Sequence, residues 1–65
     1  MRILLNGAWR EIAGAQLATV LDELGYGGRV VATAVNGEFV AASARPHTAL
    51  AEGDRVEVLA PMQGG

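Results

Sequence analysis

The chain has 65 residues, no cysteine, 18% charged side chains and a formal charge of −2. Disulfides and thiolate metal sites are excluded, and five scattered arginines form no stripe for a nucleic-acid backbone. With 51% apolar residues the chain can collapse, but it supplies one core at most, and a chain of this length buries only about 60% of its unfolded surface.

The opening run RILLN places Ile3 and Leu5 on one face and Arg2, Leu4 and Asn6 on the other. Asn6-Gly7 then predicts a tight hairpin into AWREI, because the favoured two-residue turn needs positive φ at both positions. Trp9 is expected to sit half-buried beside that hairpin. The run is too short for a signal peptide, and no stretch approaches the roughly 20 apolar residues of a membrane span, so a cytoplasmic protein is expected.

The period changes at AQLATVLDELG. Leu17, Val20, Leu21 and Leu24 fall on one helical face, with Asp22 and Glu23 on the wet side and Gly25 placed as the left-handed stop. Gly14 and Ala15 offer no side-chain acceptor, so the first turn is expected to fray. YGGR is a loop. In VVATAVNGEFV, Val31, Thr33 and Val35 alternate with Val30, Ala32 and Ala34, and Asn36-Gly37 turns the chain into a short return strand. AASARPHT, from Ala41 to Thr48, has no period and reads as a meandering loop. Leu50 is expected to plug the end of the core. Gly53-Asp54 turns into a last strand with Val56 and Val58 inward and Arg55, Glu57 and Leu59 outward, and Pro61 should end regular pairing. The order strand, strand, helix, strand, short strand, strand predicts an α+β fold, one helix across one face of a small mixed sheet. A small barrel fits less well, because of the helical period at 17–24.

No constellation of catalytic groups stands out. His47 is a lone histidine in the aperiodic loop, and Ser43, Thr19, Thr33 and Thr48 have no local base. Asp22-Glu23 and Glu52-Asp54 are explained by helix solvation and turn formation. Gly25, Gly27 and Gly28 follow a helix and lack the context of a phosphate loop. Attention falls on the end of the sequence, PMQGG. A Gly-Gly end can thread a channel too narrow for other residues, and its carboxylate is ionised at neutral pH. Such a carboxylate can attack the α-phosphorus of ATP if a partner enzyme supplies magnesium and the electrostatic clamp.

The segments ILLNG, LATVLDELG, VATAVNGEFV and LAEGDRVEVLAPMQGG together resemble the ThiS family of the ubiquitin-like beta-grasp superfamily, over essentially the whole chain. The resemblance implies a beta-grasp domain over 1–61 and a flexible tail over 62–65. It also implies a sulfur carrier rather than an enzyme: Gly65 is adenylated by a ThiF-like enzyme using ATP and Mg, and is then converted to a thiocarboxylate. The sulfur, from a persulfide donor, passes to ThiG, the thiazole synthase of thiamine biosynthesis. Gly64, Gln63 and Met62 are then the inserted tail. With the first and last strands side by side, Leu59 and Leu4 on the outer face are expected to form a small patch for the partner close to the root of the tail, with Arg2, Arg55 or Glu57 as rim charges. The chain itself is expected to bind no cofactor, metal, membrane or nucleic acid and to be a monomer when free. The family pattern leads one to expect a Pro- or Arg-containing run followed by an aromatic here; AASARPHTAL has Arg45 and Pro46 but no aromatic after them. The alternatives are a MoaD-like subunit of molybdopterin synthase, a ubiquitin-like modifier, or an unrelated binding module.

Overall fold

The computed structural model describes residues 1–61; the expected flexible tail, 62–65, lies outside the described residues. Five strands form one sheet in the order β2-β1-β5-β3-β4: β1 Arg2–Leu5, β2 Ala8–Glu11, β3 Ala32–Val35, β4 Glu38–Val40 and β5 Arg55–Leu59. β1 and β5 run parallel and the other neighbours antiparallel, so the sheet is mixed, as expected. Both Asn-Gly pairs make the predicted turns, with Asn6 and Asn36 at φ 48° and 50° and their glycines at 84° and 85°.

The helix α1, Leu17–Glu23, lies on one face of the sheet and buries Leu17, Val20 and Leu21. They meet Ile3, Leu5, Val56 and Val58 from the strands, and Ile12 and Leu50 close the ends of this core. Gly25, at φ 92°, ends the helix: its N–H donates to the Asp22 carbonyl and the Tyr26 N–H to that of Leu21, the paired bonds of a Schellman motif. The start has no side-chain cap, but it is tied in another way. The Leu17 N–H donates to the Thr48 carbonyl at 2.8 Å, and Gln16 and Ala49 form an isolated antiparallel bridge. A distant backbone segment therefore satisfies a helix end that local sequence left open.

The segment read as a meandering loop is instead a 3-10 helix, Ala42–His47. Repeating i to i+3 bonds leave no amphipathic stripe in so short a piece, so no hydrophobic period marked it. It is fastened to β3 through Arg45, whose Nε donates to Thr33 Oγ1 at 3.0 Å and whose guanidinium also donates to the Val31 carbonyl. Thr33, fully buried, passes the contact on by donating its hydroxyl to the Val40 carbonyl at 2.7 Å. One hydroxyl thus serves as both acceptor and donor.

Glu23, placed by sequence on the solvated face, has a structural task. Its carboxylate accepts from the N–H groups of Gly14 at 3.0 Å and Ala13 at 2.8 Å, tying the end of α1 to the loop before it. Those two bonds hold the Glu23 carboxyl below its ordinary pKa. A depressed folded value contributes stability that is full above the ordinary carboxylate pKa and is lost as pH falls through the folded value. Glu23→Gln keeps a neutral acceptor and removes the titration. Thermal unfolding followed from neutral to acidic pH should show the variant losing less stability than the parent; parallel curves would sink this account.

Candidate functional site

The stretch pointed out by the sequence is the one that leads to PMQGG, and in the fold it is the end of β5. This strand lies at the centre of the sheet although it is last in the chain. Val56 and Val58 are buried against the helix, while Arg55, Glu57 and Leu59 face outward, as the alternation predicts. Pairing with β3 runs from Val35 opposite Val56 to Ala32 opposite Leu59, and the strand stops there, before Ala60 and Pro61. Met62, Gln63, Gly64 and Gly65 lie outside the described residues.

On the outer face, opposite the helix, the structure separates two residues that the sequence reading set side by side. Leu4 is in register with Arg55 across the parallel pair. Leu59 lies four residues further along β5, about 13 Å away at some 3.3 Å per residue. The register of a parallel pair cannot be read from alternation, which fixes only the face. The expected joint patch is therefore two patches. Leu4 packs beside Trp9, its antiparallel partner, and the Arg2 guanidinium sits over the Trp9 ring at 4.9 Å. Trp9 is 54% exposed, more open than the half-buried position expected of it, because all of β2 lies at the exposed edge of the sheet. Leu59 instead lines a shallow groove with Ala32, Ala34 and Phe39, and a second hollow with Val30, Ala60 and Pro61. Arg55 lies beside Leu4, and Glu57 also lines the Leu59 groove.

Phe39 and Val30 were missed as candidates. They are 74% and 82% exposed, next to the end of β5. The signal was present: Phe39 alternates with Val40, which packs against the core, so a large aromatic had to face outward. The alanines across from it make the groove, because small side chains leave the ring standing above the sheet.

The other sequence candidates are not drawn together. His47 and Ser43 are exposed on the 3-10 helix. Thr33 and Thr48 donate their hydroxyls to backbone carbonyls. Asp54 accepts from the Ala51 N–H at 2.8 Å within its turn, and Glu52 accepts from the Arg2 N–H at 3.1 Å. Among the described residues, no group of three or more His, Cys, Asp or Glu side chains is placed to hold a metal ion, and no helix is long and apolar enough to cross a membrane.

A mixed five-stranded sheet with β1 and the last strand parallel at its centre and one helix across a face is the ubiquitin-like beta-grasp architecture. The model of the ThiS family matches residues 3–65. A sulfur carrier protein ThiS of Thermus thermophilus is 41% identical over 63 residues, covering 97% of this chain and 98% of the relative. The crystal structure of a thiamine biosynthesis protein (ThiS) from Geobacter metallireducens is similar with a TM-score of 0.83 and 30% identity, over the whole of both chains. Its solution structure gives a TM-score of 0.79 at the same identity, over all of this chain and 88% of that one. The chain belongs to the ThiS family. A ThiS protein is a sulfur carrier of thiamine biosynthesis and not a catalyst, which agrees with a site made of a strand end and an apolar face.

Alternate residues of β5 should respond differently to truncation. Val58→Ala removes buried methyl groups and is expected to cost about 1–3 kcal/mol. Leu59→Ala removes a larger side chain from the exposed face and should stay within about 0.5 kcal/mol. Urea unfolding of both variants checks the assignment, and a larger loss for Leu59 would reverse it.

Proposed function

We propose that the chain carries sulfur as a thiocarboxylate on Gly65. In this reading a ThiF-like enzyme uses ATP and Mg to adenylate the Gly65 carboxylate, releasing pyrophosphate. A persulfide sulfur then displaces AMP from the acyl carbon, and reductive cleavage of the resulting acyl disulfide by a thiol leaves the thiocarboxylate. The chain delivers that sulfur to the thiazole synthase ThiG in the cytoplasm. The observation that carries the proposal is that the family match extends to Gly65 itself.

The division of labour follows from the residues. Residues 1–61 act as the recognition domain and 62–65 as the tail that enters the partner, with Gly64 threading ahead of Met62 and Gln63. Adenylation makes the carboxylate oxygen a leaving group, which the ionised acid is not. Magnesium and the cationic groups needed to offset phosphate charge belong to the activating enzyme. Holding the reactive sulfur on a protein keeps it from diffusing away between donor and acceptor. Leu59 and Leu4 are proposed as partner contacts on their separate patches, Leu59 with Phe39 beside the root of the tail. Arg55 and Glu57 orient the encounter, since exposed charges act mainly on approach and register.

Incubating the purified chain with ATP, Mg, a ThiF-like enzyme, a persulfide source and a thiol should give an intact mass with one oxygen replaced by sulfur. Deleting Gly65 should abolish the change. Leu59→Ser should leave the fold intact and raise KM for the activating enzyme. No mass change with the full-length chain would overturn the carrier reading, and transfer to a molybdopterin synthase instead of ThiG would redirect it.

A further inference from the structure

The two sides of β5 are closed differently near its end. Toward β3 the ladder reaches Leu59, but toward β1 the paired residues stop at Leu5 opposite Val56, because β1 reverses at Asn6-Gly7. The next rung on the β1 side would leave the N–H and C=O of Val58 without a strand. Asn6 supplies that rung with its side chain. The Val58 N–H donates to Asn6 Oδ1 at 2.9 Å, and Asn6 Nδ2 donates to the Val58 carbonyl at 3.1 Å. A carboxamide offers the same donor and acceptor as a peptide unit, so one side chain replaces a missing piece of backbone.

Asn36 holds the opposite end of the same strand. Its Oδ1 accepts from the Arg55 N–H at 3.0 Å, and its Nδ2 donates to Asp54 Oδ1 at 3.1 Å. Two Asn-Gly turns of matching backbone thus grip the two ends of β5, and of the two asparagines it is Asn6 that grips the end leading to Pro61.

We propose that Asn6 is a positioning residue for the C-terminal segment: its side-chain rung holds Val58 in the ladder so that the chain leaves the sheet along a fixed line into a partner's site. The proposal rests on the reading that Gly65 is the group acted on. Without the rung, the end of β5 is held on its β3 side alone, and the order it loses has to be restored each time a partner takes up the segment, a cost that appears in binding and not in the chemical step.

Asn6→Gly tests this directly, because glycine accepts the positive φ of the turn and removes only the amide. Asn36→Gly is the matched control at the far end of the strand. Asn6→Asp is the partial replacement: its carboxylate still accepts but cannot donate, and protonation below about pH 4 restores a donor. Amide hydrogen exchange at Val58 and the KM and kcat for sulfur loading are measured on the full chain. Asn6→Gly should speed exchange at Val58 and raise KM about tenfold, the equivalent of re-ordering roughly one residue of backbone, with kcat unchanged. Asn36→Gly should leave KM unchanged while lowering the unfolding midpoint. In Asn6→Asp, protection of Val58 relative to Asn6→Gly should rise as pH falls through the carboxylate range. Wild-type KM in Asn6→Gly, or an equal rise in both glycine variants, would overturn the proposal. Unchanged exchange at Val58 would remove the rung itself. A wild-type chain that is never loaded would overturn the reading of Gly65, and this proposal with it.

Discussion

The fold depends on the insertion of its last strand between β1 and β3. β1 and β5 are separated by about fifty positions in the chain yet are hydrogen-bonded neighbours, the Leu4 N–H donating to the Asp54 carbonyl and that of Asn6 to Val56, both at 2.9 Å. Until β5 arrives, the β1–β2 hairpin and the β3–β4 hairpin have no common sheet, and α1 has only half a surface to lie on. Val56 is fully buried and Val58 nearly so, and burying a side chain of this kind contributes about 1.5–3 kcal/mol. A small domain has a net stability of only roughly 5–15 kcal/mol, so truncating either residue would remove a substantial part of that margin.

That dependence explains why so many polar contacts converge on β5 and its approach. Asn6 and Asn36 bond its two ends, Asp54 fastens the turn before it, and Glu52 takes the Arg2 N–H at the start of β1. Each neutral bond contributes only about 0.5–1.5 kcal/mol net, but an unmade one leaves a backbone group unpaired at the edge of the core. The Asn-Gly pairs make the economy visible. Their positive φ turns the hairpins, and the same asparagine side chains then reach sideways to the strand that both hairpins need. Glycine would serve the turn alone; the carboxamide serves the sheet.

How much of this was legible follows from what each signal encodes. Alternation gave the faces of β1, β3 and β5 residue by residue, from Ile3 and Leu5 to Val56 and Val58, because a side chain's face depends only on parity. The Asn-Gly turns and the Gly25 stop were legible because they require backbone conformations that few residues adopt. The Leu4–Leu59 separation was not, since register between distant strands is set by which backbone bonds form. The 3-10 helix at Ala42–His47 was also hidden, being held by Arg45 and Thr33 and not by any apolar stripe of its own. Nor did the sequence show that Thr48 would complete the start of α1, or that Glu23 would tie down Ala13 and Gly14. All of these are contacts between parts far apart in the chain, or between a side chain and backbone, where local pattern carries no information. The site divides in the same way. The importance of the Gly-Gly end was legible as chemistry, while the groove of Leu59, Phe39 and Ala34 became visible only once β3, β4 and β5 were placed together.

The division of the outer face bears on how a carrier of this size is handled. A partner that covered both patches would have to desolvate Arg55, opposite Leu4, in addition to Glu57, and charges removed from water are repaid only by well-matched partners. A partner seated on Leu59, Phe39 and Val30 alone meets a largely apolar surface beside the exit of β5, touches Glu57 at the wall of the groove and leaves Arg55 in solvent, where it steers approach at little cost. Under the proposed function the chain is taken up by one enzyme and passed to another, so its affinity for the first cannot be high. Under that same function, limited apolar area near the tail root, with Arg55 left wet, suits an interface that forms and releases.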